Sequence, residues 1–117
     1  VWAMDDRVDA PELVDPPSGW LASTNGAPWA ITDESANIGP EAFPDAAPAI
    51  ETYVTNRGYR AMEILSPLAR ISDAQLLEAK FDLVSSERSQ TMEMVRLILA
   101  ADAAGDAELA EIQNLLR

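Results

Sequence analysis

Gly19-Trp20-Leu21-Ala22-Ser23-Thr24-Asn25-Gly26-Ala27-Pro28-Trp29 is the stretch on which the reading of this chain turns. An apolar, strand-like piece, Trp20 to Ser23, runs into a polar Thr24-Asn25-Gly26 turn that Pro28 and Trp29 close. Just upstream, Asp15-Pro16-Pro17-Ser18-Gly19 is itself a turn signal. A strand end followed by such a turn holds an asparagine amide at a fixed place. The surrounding 48 residues contain seven of the eight prolines and three of the five glycines, so this part is expected to be extended or looped. The irregular stretch from Ile31 to Pro48, with Asn37-Ile38-Gly39-Pro40-Glu41 inside it, is long for a small free-standing domain. It is expected to be covered by another part of a larger protein.

Residues 49–117 have a different character and predict helices. Pro48 is suited to open the first, which carries Ile50, Val54, Ala61, Ile64 and Leu65 and stops at Pro67. Gly58 weakens that helix by roughly 1 kcal/mol relative to alanine and marks a close approach of something to its surface. Ser72 and Gln75 form a capping box, with Ile71 placed to staple against Leu76. That helix carries Leu76, Leu77, Ala79 and Phe81. Ser85 or Ser86 is expected to cap a third helix, with Glu87 in its first turn and Met92, Val95, Ile98 and Leu99 as its apolar stripe. Gly105 ends it. Asp106 caps a fourth, with the stripe Leu109, Ile112, Leu115 and Leu116. The fold class expected is therefore mainly α: a helical subdomain, 49–117, behind an extended, loop-rich N-terminal third, 1–48.

Composition narrows the function. The chain has 117 residues, which suits one domain with a modest core. Eight Lys and Arg stand against 20 Asp and Glu, a formal charge of −12, which argues against nucleic acid or anionic lipid as a partner. No apolar stretch approaches the ~20 residues of a membrane span. Val1-Trp2-Ala3-Met4-Asp5-Asp6 lacks the basic start and long apolar run of a signal peptide, and the missing initiator methionine is expected of a processed or cut chain. The chain holds no cysteine and no histidine, so thiol catalysis, disulfides and the commonest general base are all excluded within it.

A complete active site is hard to assemble from what remains. The serines lack a base: the single lysine, Lys80, lies mid-helix, and they are read as caps and turn residues. Val1 has no side-chain nucleophile. Asp102, Gly105, Asp106 and Glu111 are similar to a calcium loop, but Ala104 falls where a ligand is needed, so they are read as helix-end charges. Asp33 and Glu34 read as a solvated loop, Asp5 and Asp6 as a solvated pair, and Met92 and Met94 as parts of a core helix. Two residues invite a sharper reading. Asn25 is either a plain turn residue or a neutral donor suited to a developing oxyanion. Arg57, in Asn56-Arg57-Gly58-Tyr59-Arg60, is either a surface ion-pair member or a fixed cation that orients a polar partner through its fork of donors.

The segment from Asp15 to Trp29 resembles one in the β subunit of the penicillin acylase family. These are N-terminal nucleophile hydrolases that include penicillin acylases and acyl-homoserine lactone acylases. Their segment reads Ser-Gly, an aromatic, an aliphatic, Asn-x-Asn, a small residue and Pro. Asn56-Arg57 followed by Glu63-Ile64-Leu65 is similar to the helix that comes after it. The resemblance implies hydrolysis of a non-peptide amide by a serine at the free N-terminus of the β subunit, its own α-amine acting as base. It implies that Asn25 stabilises the oxyanion and that Arg57 positions Asn25. Ser23 stands where the family has its first asparagine, a departure. It further implies that this chain is an internal piece of a larger αββα fold. The nucleophile would lie outside it, the partners would be the α subunit and the rest of the β subunit, and the substrate would be a small amide. Structural calcium would belong to the parent, and a periplasmic or secreted location would follow. No cofactor or metal is expected in this chain itself. The rival expectation is a small acidic helical module that binds a partner protein and has no catalytic role.

Overall fold

The computed structural model describes residues 11–43 and 50–117. The expectations for Val1 to Asp6 and for Pro48 as a helix opener lie outside them. Among the described residues there are four α-helices and one 3-10 turn and no β-strand. The 3-10 turn is Pro40–Ala42; the helices are α1, Asn56–Leu65; α2, Asp73–Lys80; α3, Gln90–Ala100; and α4, Ala107–Leu116. The mainly α class holds for this chain.

Each helix begins at a side-chain cap. Thr55 accepts from the Gly58 N–H, Ser72 from Gln75, Ser89 from Met92 and Asp106 from Leu109. The capping box of α2 is complete in both directions, as its spacing predicts. Two starts differ from expectation. α1 begins at Asn56 because Thr55 offers a capping oxygen there, while Ile50 to Val54 stay non-helical. α3 is capped by Ser89, because Ser86 uses its hydroxyl to accept from Arg88 N–H and to donate to Glu63 Oε1 at 2.5 Å. The strand expected at Trp20 to Ser23 is also absent. A single backbone bond, Ala22 N–H to Ile31 O at 2.7 Å, pairs that piece with anything, and one rung does not make a ladder.

The apolar stripes are only half covered. Among the described residues the buried hydrophobics are Ala27, Ala30 and Met62 alone. Leu76 and Leu77 on α2, Met94 and Leu97 on α3, and Ile112 and Leu115 on α4 are exposed, which corrects the reading of Met94 as a core residue. α3 and α4 pack on each other, and buried Gln113 locks them: its Nε2 donates to Ile98 O and Ala101 O, both at 2.8 Å, satisfying carbonyls at the end of α3. The radius of gyration is 19.1 Å, against roughly 13 Å for a compact domain of this length.

Candidate oxyanion site

The loop that carries Asn25 is built from closed turns. Gly19 N–H donates to Pro16 O at 2.8 Å, with Gly19 at φ +73°, a left-handed value that favours glycine. Fully buried Thr32 donates to Trp20 O at 2.8 Å, and its hydroxyl also meets that of Ser18. Asn37 buttresses the return limb: its Oδ1 accepts from Ile31 N–H and Thr32 N–H, and its Nδ2 donates to Thr32 O at 3.0 Å. These bonds leave Thr24 to Ala30 as the tip.

The tip docks on the start of α1. Thr55 Oγ1 donates to Thr24 O at 2.9 Å, and Ala27 N–H donates to Tyr53 O at 2.8 Å. The approach is close enough that a Cβ on Gly26 would lie 3.1 Å from the Thr55 nitrogen and from Tyr53 O. Gly58 supplies the matching concavity. A Cβ there would lie 2.9 Å from Val54 Cγ1 and 3.1 Å from Thr24 Oγ1, so the close approach expected at this glycine is shared by the residue ahead of the helix and the loop tip.

Asn25 and Arg57 meet across this contact. Arg57, in the first turn of α1, donates through Nη2 to Asn25 Oδ1 at 2.7 Å. Asn25 is held at φ +53°, a conformation asparagine tolerates better than most residues. An ordinary turn asparagine bends its side-chain oxygen onto its own backbone two residues on. Here that oxygen is taken by a guanidinium 32 positions away. Arginine has only donors, so the amide is fixed with its oxygen toward Arg57 and its NH₂ away from it. Nδ2 makes no hydrogen bond among the described residues. Arg57 makes no ion pair among the described residues either, although acidic side chains outnumber basic ones.

Below Arg57, α1 is tied to the segment after α2. Arg60 grips Asp82 through two bonds, Nε to Oδ2 at 2.8 Å and Nη2 to Oδ1 at 2.9 Å, and gives Nη1 to Glu63 Oε2 at 2.7 Å. Ser86 N–H donates to Asn56 Oδ1 at 2.8 Å. The guanidinium holds the Asp82 carboxyl below its ordinary value, the Ser86 hydroxyl and then Arg60 do the same for Glu63, and both carboxylates raise Arg60. Beside this network an apolar groove of about 520 Å³ opens next to Arg57, walled by Ala61, Ile64, Leu76, Leu83 and Val84.

The other sequence candidates lie elsewhere. Asp33 accepts from the Ser35 N–H and hydroxyl, which hold its carboxyl below the ordinary value. Glu34 pairs with Arg88. Asp102 and Asp106 accept from Ala104 N–H and Leu109 N–H and serve turns and caps, as expected. Among the described residues no three acidic side chains gather as a metal site would require. Ser23, exposed, makes no side-chain hydrogen bond among the described residues. Sequence reasoning missed Thr55 at this site. Its signal was the Thr55-x-x-Gly58 spacing of an N-cap, masked by the more conspicuous Pro48. No protein-family model, curated protein or solved structure matches the chain.

Proposed function

We propose that Asn25 is the oxyanion donor of an acylase of the penicillin acylase type, which cleaves a non-peptide amide with an N-terminal serine located outside this chain. The observation that carries this reading is the 2.7 Å bond from Arg57 to Asn25 Oδ1. When the serine oxygen adds to the amide carbonyl, the π electron pair moves onto the carbonyl oxygen. Asn25 Nδ2–H donates to that oxygen, and the adjacent guanidinium polarises the amide so that its N–H is a better donor. The serine hydroxyl's proton passes to the serine's own α-amine as its oxygen adds; when the tetrahedral species collapses, the C–N bond breaks, the amine leaves with that proton, and water then releases the acyl group from the serine. This chain moves no proton. It contributes one fixed dipole and the scaffold that aims it. Its role depends on the remaining subunits, to which the structural calcium implied by the resemblance belongs.

The test is kcat of the intact parent on a phenylacetyl anilide and on an N-acyl-homoserine lactone. Asn25→Ala lowers kcat about 100- to 1000-fold, the range for a lost oxyanion donor. An unchanged kcat, or no turnover of either compound by the wild type, overturns the reading. A second reading, an acidic helical module that binds a partner protein, is favoured by one observation: apolar side chains on α2, α3 and α4 lie exposed. It predicts that Asn25→Ala leaves partner binding near wild type.

A further inference from the structure

The contact between loop tip and helix runs through one hydroxyl. Thr55 Oγ1 donates its proton to Thr24 O at 2.9 Å and accepts the Gly58 N–H at 3.2 Å. It therefore belongs at once to the cap of the helix that carries Arg57 and to the peptide that leads into Asn25. Thr24 O is the carbonyl of the peptide group whose nitrogen is that of Asn25, so fixing it restricts the plane from which the Asn25 side chain departs. A second backbone bond, Ala27 N–H to Tyr53 O at 2.8 Å, anchors the tip on the other side of Asn25. That bond needs no particular side chain, whereas the Thr55 bond does. The two glycines leave little slack between the surfaces: a Cβ on Gly26 would lie 3.1 Å from the Thr55 nitrogen, and one on Gly58 would lie 3.1 Å from Thr24 Oγ1.

We propose that Thr55 is a positioning residue for the oxyanion amide: its hydroxyl sets the register between the Asn25 peptide and the first turn of α1, and so the direction in which Asn25 Nδ2 donates. This rests on the reading of Asn25 as an oxyanion donor. The serine and threonine hydroxyls are equivalent for this purpose, and the threonine methyl lies on the side facing Gly26, where a Cβ on that glycine would come within 3.3 Å of it. Valine keeps the shape and loses both bonds. An asparagine displaced by about 1 Å loses much of its contribution to the barrier, because donors act only near 2.7–3.1 Å from the oxyanion.

The experiment is a double-mutant cycle in the intact protein, assayed for kcat and KM on the two amides above, with thermal midpoints for every variant. Asn25→Ala must lower kcat, and if it does not, the oxyanion reading itself fails. Given that, Thr55→Val lowers kcat about 10-fold with KM little changed, and Thr55→Ser recovers most of the loss. In the Asn25→Ala background Thr55→Val has no further effect on kcat, because there is no amide left to aim. Equal losses for Thr55→Ser and Thr55→Val, or a Thr55→Val loss that persists in full without Asn25, overturn the positioning role and leave Thr55 an ordinary helix cap. Should Thr55→Val fail to fold, kcat of Thr55→Ser against Thr55→Ala, at temperatures where both are folded, makes the same comparison.

Discussion

A cation in the first turn of a helix faces the positive end of the aligned peptide dipoles, so Arg57 stands where helix electrostatics disfavours it. The first turn of α1 holds no acidic residue to compensate. Its hydrogen bond to Asn25 is what the position gains. Arg57→Glu relieves the dipole conflict by roughly 0.5 kcal/mol but loses a bond of comparable net worth, so the thermal midpoint is expected to change little while kcat falls. Arg57→Lys keeps the charge but loses the fork, and kcat is expected to fall about 10-fold. Because Asn25 sits at positive φ, Asn25→Gly removes the amide without the strain alanine adds, and it should match Asn25→Ala in kcat with a higher thermal midpoint. At this scale much was legible. The resemblance pointed to Arg57 as the residue that holds Asn25, and the two do bond, but their meeting could not be read from spacing, since 32 positions separate them and a loop closure brings them together.

The elements explain why that loop closure holds. Gly58 is a weak helix former, and replacing it with alanine in an exposed helix gains about 1 kcal/mol. Here the added methyl meets Val54 and Thr24, so overpacking of about 1–3 kcal/mol opposes that gain. Gly58→Ala is expected to lower the thermal midpoint and, with it, kcat, as the tip is pushed off the helix. The Arg60 clamp adds a pH dependence. Asp82 and Glu63 are held below their ordinary values in the folded chain, so between the folded and ordinary values the unfolded chain binds more protons. The stability from the clamp is complete above the ordinary carboxylate range and is lost as pH falls through the folded values. Thermal midpoints measured from neutral to acid pH should drop at the acid end, and Asp82→Asn should flatten that drop. Local signals predicted α2 and α4 well, because Ser72-x-x-Gln75 and Asp106 are caps whose partners are three residues away. They failed for α1 and α3, where Ser86 had a distant partner in Glu63 and Thr55 was overshadowed by a proline.

The whole molecule is extended, with three buried hydrophobic side chains among the described residues and a radius of gyration well above the compact value. Hydrophobic periodicity identified the helical faces but not what lies against them, because a stripe is the same whether its cover comes from the chain or from a partner. Studied alone, the chain is expected to unfold with weak cooperativity and to bind a hydrophobic dye; on the proposed reading, the subunits that complete the acylase abolish the dye signal. The same openness leaves Asn25 exposed, and an oxyanion donor gains most of its strength in a site that excludes water. On the proposed reading, the amide is held by this chain and becomes effective only under cover. The most direct test of that account is kcat of the intact, folded Asn25→Ala protein on the amide substrate that the wild type cleaves. The account predicts a fall of about 100- to 1000-fold at a temperature where the variant, with its somewhat lower thermal midpoint, is still folded. A folded variant whose kcat stays within about twofold of wild type, on the scale where tenfold is about 1.4 kcal/mol, contradicts it.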